Sequence, residues 1–134
     1  TDRADAHAHL GYWNRAAADY RQAVRIDNTY GRAYLEGAWL LATCPLERYQ
    51  ISQLALVYAR RAIELDGMED YRYLDTLAAA HAAAGNFKQA QSTIQSAIDK
   101  ASEEAVKELN ERLELYKENQ PYRQPQAARR GYNR

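Results

Sequence analysis

Cysteine, proline and long apolar runs are scarce in this sequence of 134 residues, and each scarcity narrows the class of protein. Cys44 is the only cysteine, so the chain cannot close an intramolecular disulfide, and a metal site would need other ligands. No apolar run approaches the roughly 20 residues that cross a bilayer. The opening residues TDRADAHAHL are polar and do not resemble a secretory leader. We therefore expect a soluble protein, with the cytoplasm as the favoured compartment.

Net charge is also absent, because 18 Lys and Arg residues balance 18 Asp and Glu residues. This balance gives no support for broad nucleic-acid binding. The charges are nevertheless unevenly distributed, since residues 119–134 contain arginines and no acid. We predict a basic, flexible tail there, and its contact with nucleic acid or another anionic surface is one alternative function. The arginines of this tail are Arg123, Arg129, Arg130 and Arg134.

What the sequence does contain is a pattern of small residues that recurs in three segments. Each segment has a small residue, a second residue four positions later, and an alanine three positions after that. Residues at these spacings lie on one face of a helix, and alanine lets a neighbouring helix approach closely. The three sets are Ala16–Tyr20–Ala23, Ala55–Ala59–Ala62 and Ala90–Ile94–Ala97.

Glycine and proline indicate where these helices begin and end. Gly11 and Gly85 each precede one of the three segments, and glycine at a helix C-terminus reaches the left-handed conformation at low cost. Pro45 should end the preceding helix, because the residue before a proline avoids helical geometry. Asn86 is predicted to cap the helix that follows, with Gln89 three residues on, as in a capping box.

The segment after the third set predicts one amphipathic helix. Val106, Leu109, Leu113 and Tyr116 recur at three- and four-residue spacing and form a single apolar stripe, with Ser102 as the N-cap. A chain of stacked helical repeats needs such a helix to cover its last apolar face.

These features resemble the tetratricopeptide repeat, in which two antiparallel helices recur about every 34 residues. The helix, Thr-Cys-Pro and insertion of the middle segment also resemble a variant found in large bacterial repeat proteins. The resemblance implies an all-α fold: a right-handed α-α superhelix of about three helical hairpins plus a capping helix, seven helices in all. The first repeat is incomplete and the chain opens at Thr1 rather than Met, so we expect a piece of a longer polypeptide. The implied divisions are a repeat domain at 1–118, with repeats near 1–28, 30–67 and 70–101 and a capping helix at 103–118, and a tail at 119–134.

The resemblance implies a scaffold that binds a protein or peptide partner and is not an enzyme. In this family the first helix of each repeat lines a concave groove, and we expect Trp39 to be the main anchor there. The alternative for Trp39 is local packing beneath the middle insertion. The candidate groove residues are Asp5, His9, Arg32, Leu35, Glu36, Trp39, Arg72, Asp75 and Thr76, together with Thr43, Ala79 and Ala83.

Other ligands and activities are weaker interpretations. Some members of the family clamp a carboxylate with Lys, Asn and Arg. Only Arg72 agrees with that pattern here, and Asp5 and Glu36 would repel an acidic peptide, whereas a basic or mixed-charge peptide stays compatible. His7 and His9 point to different sides of a helix, so we expect no metal site. No motif for a nucleophile or for phosphate binding appears, so we expect no cofactor. Self-association through the incomplete first repeat is the second alternative function.

Overall fold

The computed structural model describes the backbone of residues 2–125 and the side chains of residues 10–125. Within these residues the fold is all-α, with six α-helices, one short 3-10 helix and no strand. No helix among the described residues is both long and apolar enough to cross a membrane. The α-helices are α1 (Asp2–Ile26), α2 (Gly31–Thr43), α3 (Ser52–Asp66), α4 (Tyr71–Ala83), α5 (Phe87–Lys100) and α6 (Glu103–Lys117), and the 3-10 helix is Glu47–Tyr49.

The helices pack as two antiparallel pairs with one further helix at each end. Helix α2 packs on α3 and α4 packs on α5, and the pairs meet through contacts of α4 with both α2 and α3. Helix α1 packs on α2, and α6 packs on α5. Five of the seven alanines predicted to lie at close helix contacts are almost completely buried, namely Ala55, Ala59, Ala62, Ala90 and Ala97. Ala16 and Ala23 of α1 are only partly buried.

The prediction of a turn at Gly11 is wrong. Helix α1 runs without a break from Asp2 to Ile26, so residues 1–28 do not form a helical hairpin, and the described residues contain six α-helices rather than seven. A glycine inside a helix costs only about 1 kcal/mol relative to alanine. Good helix formers on both sides of Gly11 outweigh a cost of that size. A Cβ atom added at Gly11 would meet nothing within 4 Å, so no close contact requires glycine there either.

The predicted turn at Gly85 and the helix end at Pro45 are confirmed. Gly85 has a φ of +84°, in the left-handed region, between α4 and α5. Helix α2 ends at Thr43, and Cys44 before the proline is extended. Asn86 and Ser102 occupy the predicted N-cap positions of α5 and α6, but neither side chain makes the predicted capping hydrogen bond.

The insertion between α2 and α3 is packed against the rest of the fold. Tyr49 is buried, and its hydroxyl donates a hydrogen bond to Oδ1 of Asn14 in α1. Gln50 Nε2 donates to the carbonyl oxygen of Cys44 at 3.1 Å, which closes the loop on itself. The insertion therefore links α1 to the α2–α3 pair.

The chain after α6 returns to α2. Arg123 Nη1 donates to the carbonyl oxygen of Ala42 at 2.6 Å. The backbone N–H of Gln124 donates to the carbonyl oxygen of Thr43 at 2.7 Å. Gln124 Nε2 also donates to the hydroxyl of Thr43 at 2.8 Å. The expectation of a loosely ordered tail therefore fails for residues 122–124. Residues 126–134 lie outside the described part of the chain.

Close packing around position 37 of α2 leaves no room for a side chain larger than that of glycine. A Cβ atom at Gly37 would lie 2.6 Å from Cδ1 of Tyr20 and 3.0 Å from Cδ2 of Tyr58, two rings that meet edge to face. Gly37→Ala should therefore lower the free energy of unfolding by about 1–2 kcal/mol, because overpacking outweighs the gain in helix propensity. Urea denaturation followed by circular dichroism measures this change.

Gly11→Ala is the matched control for Gly37→Ala. It makes the same chemical change inside a helix, but with open space around the new methyl group. We expect it to raise the free energy of unfolding by up to about 1 kcal/mol. Equal effects of the two substitutions would show that Gly37 is not held by its neighbours.

Candidate functional site

A groove of about 740 Å³ lies among helices α1, α2, α4 and α6. Helices α2 and α4 are in direct contact with each other, and α1 and α6 contribute side chains from the two ends of the fold. The groove combines aromatic rings with charged groups, and the lining includes the predicted candidates Leu35, Glu36, Trp39, Arg72, Asp75 and Thr76.

Six predicted candidates are not among the described groove lining: Asp5, His9, Arg32, Thr43, Ala79 and Ala83. Ala79 is buried and Ala83 is partly buried in α4. Arg32 is exposed on α2 and does not line the groove, although its charge helps to lower the pKa of Asp70. The side chains of Asp5 and His9 lie outside the described residues. Thr43 is completely buried, and its hydroxyl bonds to the carbonyl oxygen of Trp39 and to Gln124.

Helix α1 contributes a wall that the sequence reasoning missed. Tyr12, Ala16, Asp19 and Ala23 follow one another at four-, three- and four-residue spacing and all line the groove, as does Arg15. This spacing is visible in the sequence. The repeat pattern predicts only helix packing for Ala16 and Ala23, because it assigns Gly11 to a turn.

The floor of the groove contains a buried ion pair between α4 and α6. Arg112 Nη1 lies 2.7 Å from Oδ2 of Asp75, and the two side chains are 12% and 10% exposed. Burial raises the pKa of Asp75 to about 6, since the cost of desolvating the carboxylate outweighs the attraction of Arg112. The negative charge of Glu108, which lies 3.8 Å from Arg112, also raises the pKa of Asp75. Oδ1 of Asp75 has no hydrogen-bond partner among the described residues.

Trp39 contacts groups that neither prediction for it included. Its ring lies 5.8 Å from the ring of Tyr122 at an angle of 31°. The guanidinium of Arg112 is 5.2 Å from the Trp39 ring and 4.6 Å from the Tyr122 ring, so both rings attract the same cation. Trp39 therefore joins α2 to α6 and to the segment after α6, and it still presents part of its surface to the groove.

Two further acidic side chains of the groove are exposed and have no ion pair with a described residue. They are Asp19 on α1 and Glu36 on α2. Arg72, in contrast, is held by Asp70 with an Nη2–Oδ2 distance of 2.6 Å. That hydrogen bond lowers the pKa of Asp70, and Asp70 also caps α4 by accepting from the Arg72 amide.

Cys44 and His81 lie away from the groove lining. Cys44 is completely buried in the core, and burial raises the pKa of its thiol. His81 is buried in α4, where burial and Arg60 lower its pKa. Across the described residues no group of three or more His, Cys, Asp or Glu side chains is arranged to hold a metal ion.

Comparison with protein-family models, with curated proteins and with solved structures finds no match to this chain. The chemistry of the groove is therefore the basis for inferring a function.

Proposed function

We propose that this chain is a protein-interaction module of the tetratricopeptide type, which binds a peptide segment of a partner protein in the groove. Six residues predicted from the repeat pattern to face a common surface line one groove, and this is the observation that carries the proposal. The contacts of α4 with α2 and α3 support a repeat arrangement in which the first helix of each pair faces the groove. In this interpretation α1 takes the place of the first repeat.

The size of the groove is that of an ordinary ligand site, and its aromatic and charged lining suits a segment of a protein. Ligand pockets in proteins enclose about 300–1,000 Å³ and combine aromatic walls with a few polar groups. This groove falls within that range. Its aromatic walls include Tyr12, Trp13, Trp39 and Tyr71, and Trp, Tyr and Arg carry most of the energy at protein interfaces.

The alternative of a nucleic-acid contact through the arginine tail has less support. Arg123 donates to a backbone carbonyl in α2, so one of the four tail cations is used within the fold. Self-association through the N-terminal end stays a prediction, because the side chains before residue 10 lie outside the described residues.

A site-specific photo-crosslinker tests the proposal. The crosslinking amino acid is placed at Arg15, which is exposed in the groove, and in a second variant at Val57, which is 57% exposed and does not line it. Arg15 is preferred to Trp39 because Trp39 also contacts Arg112 and Tyr122. Both variants are irradiated in extract of the source organism, and the crosslinked peptides are mapped by mass spectrometry.

We expect position 15 to capture one short segment of a partner that position 57 does not capture. Capture of the same proteins at both positions, or at position 57 alone, would contradict a partner site in the groove.

A further inference from the structure

The charges in the groove indicate which peptides it accepts. Asp19, Glu36 and Glu108 are exposed carboxylates at its surface, contributed by three different helices. Two arginines at the same surface already form ion pairs, Arg112 with Asp75 and Arg72 with Asp70. Arg15 is then the one groove cation that has no ion pair with a described residue. The surface open to a ligand is therefore acidic, although the chain as a whole is neutral.

Two polar atoms of groove-lining residues are enclosed and unpaired. Nε1 of Trp13 and Oδ1 of Asp75 have no hydrogen-bond partner among the described residues. Because almost no surface of either atom is open, these atoms do not identify the ligand, and the exposed carboxylates of the groove do.

Arg112 shows that the groove already accommodates a guanidinium. The cation lies within 5.2 Å of the Trp39 ring and 4.6 Å of the Tyr122 ring and bonds to the carboxylate of Asp75. Aromatic faces and carboxylates are the two groups that attract a guanidinium most strongly in proteins. The same two kinds of group recur toward α1, where Tyr12 and Trp13 lie on the helix that also carries Asp19.

We propose that the groove selects partner segments that carry an arginine or lysine, with the cation bound between Asp19 and Glu36. This inference rests on the proposed function and specifies its partner: an extended peptide with a basic side chain, rather than an acidic or purely apolar one. A cation at this position removes the like-charge repulsion between the groove carboxylates of α1 and α2.

An oriented peptide library tests the inference. Nonapeptides with randomised positions are passed over the immobilised full-length chain, and the retained pool is sequenced. We expect Arg and Lys to be enriched several-fold over Asp and Glu at one position or more. For a single retained peptide, replacing that Arg with Met should weaken binding about 10-fold in fluorescence anisotropy, and added salt should reduce the difference because exposed charges are screened.

Substitutions at Asp19 and Glu36 test whether these two carboxylates bind the cation of the peptide. The double substitution Asp19→Asn, Glu36→Gln should abolish the preference for basic residues, whereas Asp19→Lys, Glu36→Lys should shift it toward acidic ones. Both positions are exposed, so neither change disturbs the core. The control is Glu69→Gln, Asp99→Asn, which removes two exposed acids outside the groove and should leave the preference intact.

The possible failures are distinguishable. Retained peptides that are enriched in apolar or acidic residues would overturn the basic preference and leave the peptide-binding function standing. A basic preference that survives neutralisation of Asp19 and Glu36 would overturn the assigned site. If no peptide is retained at all, both the inference and the proposed function are contradicted.

Discussion

Replacing Ile94 with alanine is expected to lower the free energy of unfolding by about 2–5 kcal/mol, among the largest effects of any single truncation in this fold. Ile94 is completely buried in α5 and belongs to one cluster with Leu74 of α4 and with Leu109 and Tyr116 of α6. The substitution removes three methyl or methylene groups from a site enclosed by three helices. Because helices hold those neighbours in place, the cavity cannot easily collapse. Urea denaturation measures the loss.

Two controls separate the cavity from a general effect of shortening a side chain. Ile94→Val should cost only about 0.5–1.5 kcal/mol, because it removes a single methylene group. Val57→Ala shortens an apolar side chain that is 57% exposed on α3, and it should change stability by no more than about 0.5 kcal/mol.

Amide hydrogen exchange should show which part of the fold the Ile94 cluster holds. Helix α6 packs on α5 through this cluster, so Ile94→Ala should lower protection in α6 more than in α2, whose buried residues Leu40 and Leu41 belong to a separate cluster. If Ile94→Ala costs no more than Val57→Ala, or if α2 loses protection before α6, the described packing of α5 is wrong.

The paired helices could be predicted from the sequence because their signals are local. Ala55, Ala59 and Ala62 recur at one-face spacing, and such a face has to be buried against another helix. The turn between α4 and α5 needs a left-handed residue, and Gly85 supplies it. Pro45 ends a helix by its own geometry. Each of these signals acts within a few residues, so no knowledge of the rest of the fold is required.

Gly11 shows where local signals fail. The same residue type that turns the chain at Gly85 lies in the middle of a continuous helix, because glycine permits a turn but does not enforce one. The side-chain caps of Asn86 and Ser102 fail for a related reason. Their residue types permit a capping hydrogen bond, yet the side-chain amide of Asn86 and the hydroxyl of Ser102 make none.

The groove was only half predictable. The family resemblance predicts six of the residues on α2 and α4 that line it, because it assigns those positions of the repeat to the groove. The contributions of α6 depend on how the chain folds after α5, and no spacing in the sequence brings Arg112 to Asp75 or Tyr122 to Trp39. The acidic character of the open surface was equally hidden, since it depends on which arginines are already paired.

Asp75 leads to the last prediction, a pH dependence of stability that is opposite to that of an ordinary surface carboxylate. Its pKa is about 6 in the fold and 3.8 in the reference state, because burial penalises the charged form. Between these two values the folded chain binds more protons than the unfolded chain, so the contribution of Asp75 to stability is fully present below about pH 4 and is lost as the pH rises through 6. The difference in free energy of unfolding between the native chain and Asp75→Asn should therefore decrease by about 2–3 kcal/mol from pH 4 to pH 7.

Asp70 provides a control with the reverse sign. The hydrogen bond from Arg72 lowers its pKa, so its contribution is present above the unfolded value and is lost as the pH falls. The difference between the native chain and Asp70→Asn should accordingly increase with pH in urea titrations run at several pH values. If the Asp75→Asn difference also increases with pH, then the attraction of Arg112 outweighs the cost of burial. The ion pair in the groove floor would then stabilise the charged carboxylate.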